Sequence, residues 1–345
     1  METATAERTW PAETRRRSPG RTAGAWFAGL LLAGVSVVAG CRAADADGIT
    51  PVPQLLAFLP WLIAPAAFAL LLALLARWRT GMVWSVLALA ALAWFAEPYG
   101  RSDEPTGAPL AEFRVLTSNV EFGRGTASLV PAIHRERPDV VFVEECEHHC
   151  SATLEQTFGG TGGTYPYRQA VEGASSDGSV ILSRFPLTAA PGVPGTMGMP
   201  GAVADVHGHA VRLQLAHPMP PLPGQLSLWR RELGALRAYA ASGGGAPTIL
   251  AGDFNASQDH AAFRRILDTG LRDSAGLADD ARTPSWPART APPFGTQIDH
   301  VLVSRDFSAN SAHFLHIADS DHRALIVDIT LHQPAQEQTS QRSPS

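Results

Sequence analysis

The chain has 345 residues, 45% of them hydrophobic, with a formal net charge of −5; that length holds one large domain or two modest ones. All 27 basic residues are arginine, which we attribute to codon composition. Residues 101–345 hold 19 Arg against 26 acids, so this part is acidic and lacks the overall basic footprint of a nucleic-acid binder.

Five segments follow in chain order. Residues 1–22 form an arm carrying Arg8, Arg15, Arg16, Arg17 and Arg21. Residues 23–98 hold three charge-free apolar runs: between Arg21 and Arg42, from Leu55 to Ala76, and between Arg79 and Glu97. Each is near the roughly 20 residues that cross about 30 Å of hydrocarbon, so three transmembrane helices are expected. Arg77 and Arg79 stand alone in the second connection, whereas Arg42 in the first faces Asp45 and Asp47. The positive-inside rule then puts the N-terminus in the cytoplasm and everything after about Pro98 outside it, in a multi-pass plasma-membrane protein. Trp78, Trp94 and Tyr99 suit the interfaces. Val38-Ala39-Gly40-Cys41 resembles a lipoprotein cleavage box, but two more apolar runs follow it, and either reading leaves the domain on the same side.

Residues 99–110 are polar with Pro and Gly, and read as a linker. Residues 111–331 then mix strands and helices. Strands are expected at Phe113–Leu116, Val140–Val143, Val180–Leu182, Thr248–Leu250, Ile298–Val303 and Ala324–Ile329. A hairpin is expected over Ala202–Leu215, turning at His207-Gly208-His209. Helices are expected over Ser128–Arg137 and Leu226–Ala240, and from a cap at Asp259 to about Asp268. Residues 332–345 are rich in Gln, Ser and Pro and are expected to be disordered. The mixture predicts an α+β fold.

Past the buried strands stand Asn119, Glu145, His217, Asp253 with Asn255, Asp299 with His300, and Asp321 with His322. This oxygen-rich set with a few imidazoles suits a hard cation, Mg²⁺ or Mn²⁺. Phosphoester hydrolysis asks for charge neutralisation, an aligned water and help for the leaving oxygen, which such a set supplies. Singly, each Asp or Asn is an ordinary turn former, and Asp139, Asp268, Asp273 and Asp328 are left as such. His148, His149, His207, His209, His260, His313 and His316 read as surface or loop histidines. Cys146 and Cys150 are read as a local disulfide or free thiols in preference to a metal site, since no further Cys completes a tetrahedral set.

Ser118-Asn119, the strand Pro138 to Glu145, Gly252-Asp253-Phe254-Asn255, Ile298-Asp299-His300 and Ser320-Asp321-His322 together resemble the endonuclease/exonuclease/phosphatase superfamily, in that family's chain order. The resemblance implies a four-layer α/β/β/α sandwich, two packed mixed sheets flanked by helices, and a metal-dependent hydrolase of phosphoester or pyrophosphate bonds. It implies Glu145 as principal metal ligand, with Asn119 and Asp321 beside it. Asp253 would orient or deprotonate water, and Asn255 would hold a phosphate oxygen. His322, oriented by Asp299, would contact the phosphate, and His217 would assist the leaving group. Arg184, in a Ser-Arg-Phe-Pro turn, is read as structural.

The architecture also resembles the VanJ-type teicoplanin-resistance membrane proteins, which implies a lipid-linked substrate such as undecaprenyl pyrophosphate. Phe294, Trp286 and Met197 to Met199 sit in Gly/Pro-rich loops and suit either lipid contact or ordinary packing. Two rival readings remain open: a membrane-tethered extracellular nuclease, and a non-catalytic module that binds a phosphorylated lipid or an antibiotic.

Overall fold

The alternation of side chains along a strand decides what each sheet buries. Val115, Val140 and Phe142 enter one core cluster, while their neighbours Leu116, Val141 and Val143 enter another. Both faces of these strands are therefore covered. A computed structural model describes residues 19–100, 104–290 and 293–334. The arginine-rich arm before Pro19 and the tail beyond residue 334 lie outside the described residues.

The described chain divides into two compact units, one drawn from residues up to Ala39 with Pro60–Trp94, the other from Gly40–Leu59 with Phe95 onward. Their helices begin with α1 (Pro19–Ala43), α2 (Val52–Ala57), α3 (Ile63–Leu75) and α4 (Arg79–Ala96). Two of these, α1 and α4, are long and apolar enough to cross a membrane, at about 37 and 27 Å by 1.5 Å per residue. The expectation of three equivalent spans is corrected here. The run from Leu55 to Ala76 is divided into α2, a 3₁₀ turn at Leu59–Leu62 and α3. Pro60 falls between the helices, where it denies the backbone an N–H for a continuous helix. Residues up to Leu59 belong to the second unit.

The second unit continues with β1 (Pro109–Asn119), α5 (Thr126–Glu136), β2 (Val140–Glu144), α6 (His148–Phe158), β3 (Tyr167–Val171), β4 (Ser179–Ser183) and β5 (Leu187–Ala190). It goes on through β6 (Gly201–Val206), β7 (His209–Ala216), α7 (Leu226–Ala241), β8 (Thr248–Asp253), α8 (Ala261–Leu267), β9 (Arg272–Asp273) and α9 (Ser274–Leu277). It closes with β10 (Asp299–Val303), β11 (Phe307–His316) and β12 (Arg323–His332). One sheet has the order β11-β12-β1-β2-β4-β3, the other β5-β6-β7-β8-β10-β9. Each has a single parallel pair, β1 with β2 and β7 with β8, among antiparallel neighbours.

Inward residues of both sheets, Phe142, Leu213, Ile249, Val301 and Val327 among them, form one core. A second cluster joins the outer face of the first sheet to Leu129 and Ile133 of α5 and Leu154 and Phe158 of α6. A third joins the outer face of the other sheet to Trp229 and Leu233 of α7 and Phe263 and Ile266 of α8. This is the expected α/β/β/α sandwich.

Candidate active site

Strand direction gathers the polar residues. β1, β2, β7 and β8 end at one edge, and β10 and β12, antiparallel to β8 and β1, start there. Asn119 therefore faces Glu144, and Asp299 faces Asp253, in register. The turns just beyond carry left-handed residues, Glu145 at φ 54° and Asn255 at φ 47°, which aim side chains off the strand axis. Gly252 precedes Asp253 for a steric reason: a Cβ there would lie 2.0 Å from the Ala216 carbonyl oxygen.

The carboxylates converge. Asn119 Nδ2 donates to Glu145 Oε1 at 3.1 Å and to Asp253 Oδ2 at 3.2 Å, while its Oδ1 accepts from the Glu121 N–H. Glu145 Oε2 accepts from the Phe122 N–H at 3.0 Å. Asp253 Oδ1 accepts from the Asn255 N–H at 2.7 Å, closing the Asp-Phe-Asn turn. The Asn255 amide donates to the Pro218 carbonyl. His322 Nδ1 donates to Asp299 Oδ2 at 2.9 Å, leaving Nε2 3.7 Å from Asp253 Oδ2 and 3.9 Å from Asp321 Oδ1. Asp321 Oδ2 accepts from the Trp286 indole at 3.1 Å. His217 Nε2 lies 3.8 Å from Glu145 Oε1 and 4.0 Å from Asp253 Oδ2, and neither ring nitrogen has a hydrogen-bond partner.

Burial polarises the set. It raises the Asp253 carboxyl to about 7, with His322 pulling it down and Asp299 pushing it up. It raises Glu145, against hydrogen bonds from Asn119 and the Phe122 N–H, and Glu144 still more. Burial alone would lower His322, but Asp299 and Asp253 overcome it and hold the imidazole at about 10. His217 falls to about 3 through burial and the neighbouring His322 charge. Buried carboxyl groups thus outnumber the one imidazolium, and Asp299 Oδ1 and Glu144 Oε2 lack partners. Such an oxygen-rich, under-compensated cluster fits a hard divalent cation. Asp253, Asp299 and His322 can each place one ligand atom within 4.8 Å of the others'.

Glu145, His217, Asp253, Asn255, Asp321 and His322 line a cavity of about 610 Å³, a volume typical of small-molecule sites. The model of the endonuclease/exonuclease/phosphatase family matches residues 116–322, more than half of the chain. The chain belongs to that family. It is accordingly a metal-dependent hydrolase of phosphoester bonds. Its fold is similar to that of humanized D. rerio TDP2 (TM-score 0.50, 12% identity, 63% of this chain and 98% of that one). It is similar also to an AP endonuclease from Archaeoglobus fulgidus (0.50, 14%, 62% and 98%). A functionally unknown conserved protein from Enterococcus faecalis V583 shares it too (0.50, 13%, 64% and 100%). Among curated proteins none matches the sequence.

Every candidate named from the sequence, Asn119, Glu145, His217, Asp253, Asn255, Asp299, Asp321 and His322, lies at this edge. Arg184 lies elsewhere, paired with Asp139 at 3.1 Å. Cys146 and Cys150, directly after Glu145, form a disulfide.

Three readings change. His260 is buried, not superficial, with Nε2 donating to the Pro53 carbonyl. Asp259 does not cap α8; it pairs with Arg42 and Arg282, and the cap comes from Asp47, whose oxygens accept from the Ala261 and Ala262 N–H groups. Asp273, read as a turn former, pairs through Oδ2 with His300 Nδ1 at 2.8 Å, while His300 Nε2 donates to the Ala256 carbonyl.

Sequence reasoning missed Ser320 and Ser285. Ser320 Oγ donates to the Asn119 carbonyl and accepts from the His322 N–H. Ser285 Oγ accepts from the Ile298 and Asp299 N–H groups. For Ser320 the signal was adjacency to Asp321-His322; for Ser285 there was none.

Proposed function

We propose that the chain is a membrane-anchored Mg²⁺- or Mn²⁺-dependent phosphoesterase, working outside the cytoplasmic membrane on a phosphate ester or anhydride of a lipid-linked substrate. The observation that carries the catalytic part is that Asn119 joins Glu145 to Asp253 and that His322, held by Asp299, lies 3.7 Å from Asp253, with Glu145, Asp253 and His322 lining one cavity.

The cation would be held by Glu145 with Asp321, Asn119 orienting the carboxylates, and it would supply charge neutralisation at the phosphoryl oxygens and a more acidic water. Asp253, with a pKa of about 7, is matched to take a proton from the attacking water near neutral pH. His322, cationic at neutral pH and fixed at Nδ1 by Asp299, presents an Nε2–H to a phosphate oxygen. His217, held neutral, offers a hydrogen bond to the leaving oxygen. Asn255 reaches a second phosphate oxygen by exchanging its bond to Pro218. Asp253 at about 7 and His322 at about 10 are set apart, which is how one site runs base and acid roles together.

Membrane anchoring is supported by the length of α1 and α4 and by Arg77 and Arg79 beside their intervening turn. Residues 40–59 and 95 onward belong to one unit. The chain therefore leaves that unit through α3 and returns to it through α4, so both connections lie on the same side of any bilayer the pair crosses. Leu59–Leu75 is the shorter arm, about 25 Å long, which a bilayer meets by local thinning. The VanJ-type resemblance nominates undecaprenyl pyrophosphate as substrate and glycopeptide (teicoplanin) resistance as phenotype.

A phosphate-release panel tests the reading: lipid pyrophosphate, soluble phosphodiester and DNA, each with and without chelator. Chelator-sensitive release from the lipid, absent in Asp253→Ala, is expected. DNA nicking that weakens steeply with salt, without lipid hydrolysis, would move the assignment to a nuclease.

A further inference from the structure

The residues before Pro60 are apolar enough to read as membrane span, yet Asp45 to Phe58 is fastened to the catalytic unit along its length. The Asp47 carboxylate, buried at 6% exposure, accepts from the first two N–H groups of α8 at 2.7 and 3.2 Å. A buried carboxylate is costly unless hydrogen-bonded, so Asp47 favours this docked position. Asp45 pairs with Arg264 at 2.6 Å and Arg265 at 3.2 Å. The Gly48 carbonyl accepts from Arg230, and Gln54 donates to the Pro221 carbonyl. Pro53 takes the His260 imidazole N–H at 2.8 Å.

This strap ends at the cavity. Phe58 stacks on Phe294 with centroids 5.7 Å apart and tilts against Trp286 at 6.2 Å. Trp286 in turn holds Asp321. Met219 to Pro223, a loop held by Glu232 through the Met219 N–H, line the same cavity. The cavity lining is thus mixed: Glu145, Asp253, Asp321 and His322 share it with Phe58, Trp286, Leu222 and several prolines. Two of its lining residues, Leu222 and Phe122, remain 44% and 47% exposed, as does Phe294, stacked on Phe58.

We propose that the strap is a specificity wall, with Phe58 its determinant, which grips the hydrocarbon chain attached to the phosphate being cleaved. The proposal rests on the phosphoesterase reading for the polar end alone. An amphiphile fits because one cavity is lined both by the catalytic groups, which suit an anionic head, and by Phe58, Trp286 and Leu222, which suit a hydrocarbon chain.

The test uses the full chain in nanodiscs with Mg²⁺ and a series of soluble n-alkylphosphonates, read by calorimetry. Wild-type Kd should fall by about threefold to fourfold per methylene that reaches the wall. Phe58→Ala should lose at least half of that logarithmic slope, Phe58→Leu should keep most of it, and methylphosphonate should bind all three equally. A flat wild-type series, or Phe58→Ala with the wild-type slope, overturns the proposal. Hydrolysis of a short phosphate ester by the same preparations, compared with Asp253→Ala, reports separately on the phosphoesterase reading.

Discussion

The floor and the wall of the cavity come from different kinds of chain. The floor is built from strand ends, where ladder hydrogen bonds fix Asn119 against Glu144 and Asp253 against Asp299. The wall is built from connections: Thr50, Pro51, Gln54, Ala57 and Phe58, the proline loop at 219–223 and the loop carrying Trp286. Rigid strands hold chemistry in register; loops and the strap define what reaches it. Residues of the floor should therefore govern turnover, and residues of the wall should govern binding and local stability.

Asp253→Ala should give the largest effect, lowering kcat by about a thousandfold with KM within a few-fold of wild type; a change confined to KM would place Asp253 with the wall. Asp299→Asn comes next, lowering kcat by about a hundredfold. Its second signature is pH dependence. Folding raises His322 from 6.5 to about 10, so its contribution to stability is complete below about 6.5 and is lost as pH rises towards 10. Asp253, raised to about 7, destabilises over its own rise from about 4 to 7, where His217, lowered to about 3, acts oppositely. The clear window is pH 7 to 10. Metal-free protein should melt at lower temperature at pH 9 than at pH 7, with a shallower fall in Asp299→Asn.

Trp286→Phe keeps an aromatic ring but removes the donor to Asp321. It should weaken metal activation by about tenfold, as loss of an orienting hydrogen bond does at metal sites, and unchanged metal dependence would separate wall from floor completely. Asp47→Ala should be the mildest, reducing the stability of the catalytic unit by about 1 kcal/mol, the usual value of a helix cap, with kcat on a short substrate unchanged.

The floor was legible in the sequence because its residues follow short β-rich runs: Val140 to Val143 before Glu144-Glu145, Thr248 to Leu250 before Asp253. Periodicity also found α5, α7 and the hairpin of β6 and β7. It did not find β3, β5 or β11; in β11, Ser308, Asn310, Ser311 and His313 interrupt the apolar pattern, as suits an edge strand half open to solvent. The wall was hidden for a different reason. Residues 52–59 are apolar because they pack against the catalytic unit and line a cavity, and composition does not distinguish that from a bilayer. Pro60 carried the missing signal, because it interrupts the 22-residue run from Leu55 to Ala76. The Asp47 cap on α8 joins residues 214 positions apart, beyond any local pattern.

Anomalous diffraction from crystals of the full chain soaked in Mn²⁺ tests the central claim most directly. The account predicts a strong peak at the floor, bonded to Glu145 and close to Asp253. A saturating soak that leaves the floor empty, or a peak bound elsewhere with phosphate release still metal-dependent, would contradict it.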